Sequence, residues 1–267
     1  PSPSEGIQLP DGAQTLMMRV KPDRARPSVM VTAQIRDANG RYFPYRVGNL
    51  DSSDWLDMKV SLVRGRRFTR FMRLEPVGPL TLVSVSIHES DWQRKLRAGS
   101  IIIDDIRVTT ADGSQTVSVE TFEDIGNWSV LRVAAESVTD ALQESSARVN
   151  GGTGAATFIW SEGLALISRG IFRGPPVSPL PVLASTSFLE DTGHRLGERL
   201  EISVVGNRVP VQLVDSIDYF STLDTINESF LIADLTSLVR YVNLNSSSVE
   251  LKPNELWLSI GQDPGPR

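Results

Sequence analysis

The stretch "SIIIDDIRV", residues 100–108, sets two carboxylates into a run of isoleucines. Strands disfavour Asp, and a carboxylate taken out of water is costly unless something pairs with it. Strict alternation puts Ile102, Asp104, Ile106 and Val108 on one face. Ile101, Ile103, Asp105 and Arg107 fall on the other. Asp104 then has only apolar company, which predicts a specific partner for it.

Other chemistries are easier to set aside. Glu123 and Asp124 are adjacent, as are Asp104 and Asp105, and neighbours on a strand point opposite ways, so neither pair can flank one glycosidic bond. A Ser/His/Asp triad would have to use His88 or His194, the only two histidines. His88 ends a strand-like run, His194 lies in the turn "DTGHRLG", and no nucleophile elbow accompanies either. "NGGTGAAT", residues 150–157, has G-x-G spacing, but "TFIW" follows it where a nucleotide site needs a helix N-terminus. The residues point to a protein without enzymatic activity.

"VRGRRFTRFMR", residues 63–73, interleaves arginines with Phe68 and Phe71 and could meet phosphates or headgroups. The net charge of −5 favours a solvated strand with its arginines outward and argues against nucleic acid as a partner. Five tryptophans, Trp55, Trp92, Trp128, Trp160 and Trp257, are available for the core or for stacking on sugars. With no cysteine there is neither a disulfide framework nor thiolate chemistry.

These residues must be positioned by β-structure over the first half. The runs "TLMMRVKP", "SVMVTAQIRD", "RYFPYRVG", "WLDMKVSLV", "LTLVSVSIHES" and "SIIIDDIRVTT" are separated by "DANG", "VRGRR" and "EPVGP". "TVSVETFED", "NWSVLRVAAE" and "GAATFIWSEG" continue the pattern. Short strands at this spacing predict an antiparallel sandwich or barrel. A composition 40% hydrophobic and 22% charged suits a globular core. No apolar run is long enough to span a bilayer, and both ends read as linkers, so the chain is expected to be a soluble piece of a longer protein.

The order "LMMRVKPD", "VTAQIRDANGRYFPYRVG", "DWLDMKVSL", "PLTLVSVSI", "GSIIIDDIRV" resembles the later strands of a carbohydrate-binding-module-like jelly roll. There "ETFEDIGNW", residues 120–128, resembles an opening segment, yet here it follows the closing strand. Either the jelly roll is circularly permuted or two incomplete modules were cut. Open edges in an incomplete sandwich favour permutation. The resemblance implies a structural calcium ion shared by Asp104 and Glu123, or Glu120 in its place, since hard oxygen ligands suit calcium. The bland alternative is a rim carboxylate held by backbone N–H groups.

After "GPPVSPLP", residues 174–181, the composition shifts. Ser185 or Thr186 caps a short helix ended by Gly193, and "ERLEISVVGNRVPVQLVDSIDYF" reads as a hairpin. "SFLIADLTSLVRYVNL" is a strand entering a helix capped by Asp234, with Leu235, Leu238, Val239 and Val242 on one face. "NELWLSI" reads as a closing strand. The string "VLASTSFLEDTGHRLGERLEISVVGNRVPVQLVDSIDYFSTLD" resembles the extracytoplasmic part of FtsX/MacB-like ABC-transporter permeases, with Asp215 where that group commonly has glycine.

The expectation is therefore a mostly β chain in three parts: a jelly-roll sandwich over 1–165, a proline-rich connector over 166–181 and a small α+β domain over 182–262. The permease resemblance implies a location on the extracytoplasmic side of a bacterial membrane. It implies as partners the membrane-spanning remainder of the chain, a cytoplasmic ATPase subunit and an extracytoplasmic protein or carbohydrate. The rival is a secreted or surface carbohydrate-binding module with a spacer domain.

Overall fold

The computed structural model describes residues 6–63, 66–67, 73–91, 93–110, 115–131, 139–147, 154–164, 169–176, 179–204, 207–220 and 229–245. The strands in chain order are β1 (Ile7–Gln8), β2 (Ala13–Pro22), β3 (Arg26–Arg36), β4 (Tyr42–Leu50), β5 (Leu56–Ser61), β6 (Arg66–Arg67), β7 (Arg73–Leu74), β8 (Thr81–Glu89), β9 (Lys95–Leu96) and β10 (Gly99–Thr110). They continue with β11 (Thr116–Glu120), β12 (Trp128–Leu131), β13 (Ala141–Ser145), β14 (Ala155–Trp160), β15 (Gly163–Leu164) and β16 (Arg169–Arg173). A second group holds β17 (Leu180–Ser185), α1 (Thr186–Thr192), β18 (Arg199–Val204), β19 (Asn207–Ile217), β20 (Leu231–Ala233) and α2 (Leu235–Asn245).

Two six-stranded antiparallel sheets carry the first group. One runs β12-β16-β8-β3-β4 with β1 beside β8, and the other runs β13-β14-β10-β2-β5 with β11 beside β10. The period-2 pattern of each strand decides what it buries. Leu16, Met18 and Val20 of β2 and Val29, Val31, Ala33 and Ile35 of β3 are all within 2% of full burial. Both sheets feed one apolar cluster, so neither buries its hydrophobic face without the other.

The late strands complete sheets begun by the early ones. β14 pairs with residues 99–103 of β10, and β11 with residues 106–109. β16 lies between β12 and β8. Residues 169–173, expected in the connector, thus form a strand with Arg169 through Phe172 buried. Its register leaves no room for a larger residue at Gly170, where a Cβ would lie 2.1 Å from the Val85 carbonyl oxygen. Arg169, 1% exposed, is held by Asp140, to which its Nε donates at 2.8 Å, and by the Ser161 carbonyl. The hydrophobic run that signals a buried strand is short here and carries an arginine, which is why pattern reading passes over it.

The second group forms a four-stranded sheet of order β18-β19-β17-β20 in which β17 and β19 run parallel. The crossover between them contains α1 and β18. Ser185 accepts the Phe188 N–H as N-cap, and Gly193 ends the helix with φ 72°. Asp234 caps α2 by accepting the Ser237 N–H at 2.8 Å. Tyr241 and Val242 of α2 join the core of this sheet, whereas Leu235 is 52% exposed and lies off the expected apolar face. Leu244 packs instead with Val83, Leu131 and Phe172 of the first group. Val83 turns that way because the β3–β8 register shifts between Gln34 and Ile35, leaving it outside the alternation. Among the described residues no helix is long and apolar enough to cross a membrane.

Candidate functional site

The Asp104–Asp105 pair sits on a β-bulge. Asp104 is in register with Arg19 and Arg107 with Met17, so β10 spends one residue more than β2 across this interval. Asp105 has φ 52°, in the left-handed region, and its carboxylate meets Arg107 at 3.1 Å. The extra residue resets the alternation. Ile101, Ile103, Ile106 and Val108 all face the core, at 1% exposure or less. Directly opposed residues share a face, so Asp104 points with Arg19 to the outer side of its sheet, not into the core as strict alternation predicts. It is nonetheless only 4% exposed, and its Oδ1 accepts the Asp105 N–H at 2.7 Å.

The carboxylates expected to join it lie elsewhere in role. Glu120 is fully engaged: Oε1 accepts the Thr121 and Phe122 N–H groups, and Oε2 accepts Trp128 Nε1 at 3.0 Å and Arg173 Nη1 at 2.5 Å. It ties β11 of one sheet to β12 and β16 of the other. Glu123 is exposed. Calcium takes six to eight oxygens, and no group of three or more His, Cys, Asp or Glu side chains assembles among the described residues. Asp104 and Glu123 belong to no such group.

Three of the five tryptophans are described. Trp128 and Trp160 are 5% and 1% exposed. Trp55 carries the Arg19 guanidinium at 5.8 Å from its ring centroid. Trp92, Trp257, the closing "NELWLSI" run and most of the arginine-rich stretch at 63–73 lie outside the described residues.

One end of the sheet pair holds a cleft of about 730 Å³. Three connections that pass between the sheets build it: the β2–β3 turn, the chain from β8 to β10, and the residues around the β9–β15 ribbon. Arg24, Arg26, Arg94, Lys95 and Arg97 line it together with Glu89 and Glu162. Its floor is rigid. Arg26, 8% exposed, donates to both Asp23 oxygens and to the carbonyls of Arg97 and Ala98, and its guanidinium lies 5.3 Å from the Trp160 ring centroid. Trp160 Nε1 donates to the same Arg97 carbonyl at 2.8 Å. Burial alone would raise the Asp23 pKa, but the Arg26 hydrogen bonds and charge, with the Ser100 N–H and the Arg24 charge, outweigh it and hold the carboxyl below its usual value. Gly99 is required under this stack, since a Cβ there would come 2.2 Å from Arg26 Nη2.

The other charges of the cleft are held less tightly. Arg94 is paired with Asp91 at 3.0 Å and Lys95 loosely with Glu162 at 3.7 Å. Arg24 and Arg97 have exposed side chains and make no close ion pair among the described residues, although the Arg24 charge helps to lower the Asp23 pKa. Glu89 is 8% exposed. Its Oε2 accepts the Ser28 hydroxyl at 3.0 Å, while its buried Oε1 has no hydrogen-bond partner among the described residues. A half-satisfied buried carboxylate lining the same cleft as exposed arginines is an arrangement that a donor-bearing, negatively charged group completes. Sequence reading missed it because its members are scattered from residue 24 to residue 162 and no short motif marks them. No family model, no curated protein and no solved structure matches this chain.

Proposed function

We propose that the chain is a non-enzymatic extracytoplasmic region of a bacterial ABC-transporter permease. Its two large sheets form a circularly permuted jelly-roll sandwich that engages a partner outside the membrane. The smaller sheet leads back toward the membrane-spanning remainder, which a cytoplasmic ATPase subunit drives. The observation that carries this reading is the order strand, capped short helix and hairpin over Leu180–Ile217, the segment whose residues resemble that permease group. Two further features support it. Strands from 116–173 complete both sheets begun by 7–110, as a permuted sandwich requires. Leu244 seats α2 on the larger body, so motion arriving through the small unit reaches both.

The test uses the full-length chain expressed in bacterial membranes. Protease added to the outside of spheroplasts is expected to digest residues 182–260, and an ATPase subunit is expected to co-purify in detergent. Recovery of the chain as a free secreted protein with no ATPase bound overturns the reading in favour of a surface-binding module.

A further inference from the structure

We propose that the end cleft beside Glu89 binds an acidic, extended peptide segment of a partner protein. Its carboxylates would lie against Arg24 and Arg97, and one of its N–H groups would donate to Glu89 Oε1. Three observations converge on that chemistry. First, Arg24 and Arg97 line the cleft with exposed side chains and make no close ion pair among the described residues, Arg24 acting on Asp23 only through its charge, so an incoming anion displaces no hydrogen-bonded carboxylate. Second, the unpartnered Oε1 of Glu89 asks for a donor. A bare anion supplies none and would meet like charge there, whereas a peptide carries donor and anion on one backbone. Third, the remaining lining is Ser28, whose hydroxyl is already bonded to Glu89, and the aliphatic Ala25, Pro27 and Val29. Among the described lining residues no aromatic ring offers a face on which a sugar would stack. The volume of about 730 Å³ suits a short segment and not a single ion.

The floor makes the site selective. Arg26 is fixed by Asp23, two carbonyls and Trp160, so it holds the wall in place and does not rearrange to neutralise Glu89. Loss of affinity with added salt is expected for the arginine contacts.

The inference requires no membrane and is measured on the isolated 267-residue chain, so its failure leaves the permease reading standing. Fluorescence polarisation with labelled, end-blocked Ala-Glu-Ala-Asp-Ala is compared with its Gln/Asn counterpart, with tripolyphosphate and with trigalacturonate as competitors. Preference for the acidic peptide over the amide version by about tenfold is expected, the scale of one charge-assisted hydrogen bond. Arg24→Ala and Arg97→Ala, both at exposed positions, each weaken it several-fold without changing the melting temperature. The discriminating variant is Glu89→Gln. It removes the negative charge and leaves one neutral acceptor oxygen where there were two charged ones, so the peptide donor loses its charge-assisted bond and the acidic peptide should bind more weakly. Tighter binding by Glu89→Gln, or competition by tripolyphosphate at or below the peptide's concentration, means a plain anion patch and overturns the proposal. Stronger competition by trigalacturonate overturns it in favour of an acidic saccharide. No binding of the acidic peptide at all also overturns it.

Discussion

Asp37 shows how one carboxylate fixes a turn. Its Oδ1 accepts the Asn39 and Arg41 N–H groups at 3.0 and 2.9 Å, and its Oδ2 accepts Arg41 Nε at 2.9 Å and the Val77 N–H at 3.3 Å. Burial works to raise its pKa, but the bonds from Arg41 and Val77 outweigh that and lower it from 3.8. The unfolded chain therefore takes up this proton first on acidification. The stabilisation is fully present above about pH 4, and it is lost as pH falls through the folded-state value. Asp37→Asn is expected to cost about 1.5–3 kcal/mol at neutral pH. In urea melts at several pH values, the gap from the parent should narrow below pH 4; a gap that stays constant would show that the charge is not what matters. Asp105 poses a backbone question. At φ 52° an L side chain costs about 1–2 kcal/mol, so Asp105→Gly relieves strain while losing the half-buried Arg107 pair, and the strain is taken as the larger of the two. A small rise in melting temperature is expected, and a fall of several degrees would refute the strain argument. Calcium and EDTA are expected to leave that temperature unchanged. A calcium-dependent rise abolished by Asp104→Asn would reinstate a shared ion with Glu123.

At the scale of elements, β16 concentrates the dependence on sequence. Gly170→Ala sets a methyl 2.1 Å from a backbone oxygen that cannot move without parting β16 from β8. Asp140→Asn leaves the Arg169 guanidinium charged and 1% exposed without its carboxylate, a loss of about 3–5 kcal/mol. Both variants should fail to accumulate as folded protein or should melt at least ten degrees lower; near-parental melting of either would show that the strand is dispensable. The same elements show what a sequence can and cannot disclose. β2, β3, β4, β8 and β10 were legible because each alternates over eight or more residues or carries a long β-branched run. The α1 caps were legible because Ser185 and Gly193 act locally. β16 was not, because "RGIFR" is five residues long and its burial of arginine depends on Asp140, 29 positions away. The face of Asp104 was misjudged because a bulge is set by the partner strand's register, which no single strand records. The cleft was invisible for the same reason on a larger scale.

The whole molecule is held by strands that are neighbours in space and remote along the chain. β2 pairs with β10 over Ala13–Pro22 and Ile101–Thr110, and β8 depends on β16. A chain truncated after Thr110 lacks β11, β12, β14 and β16, so β10 and β8 each lose a flank and the shared core is left open. Such a truncation should show no cooperative thermal transition by circular dichroism, and a sharp melt would mean the first five long strands are self-sufficient. This interleaving also sets a clock. At roughly 5–20 residues per second of synthesis, the interval between the emergence of β8 and that of β16 lasts several seconds. Throughout it, one sheet has an unpaired edge and an uncovered apolar face. Pairings of such long sequence separation close slowly even once all the strands are present. A chain kept unfolded for that long is open to edge-to-edge association with its own copies, and the exposure ends only when β16 closes the sheet against β8.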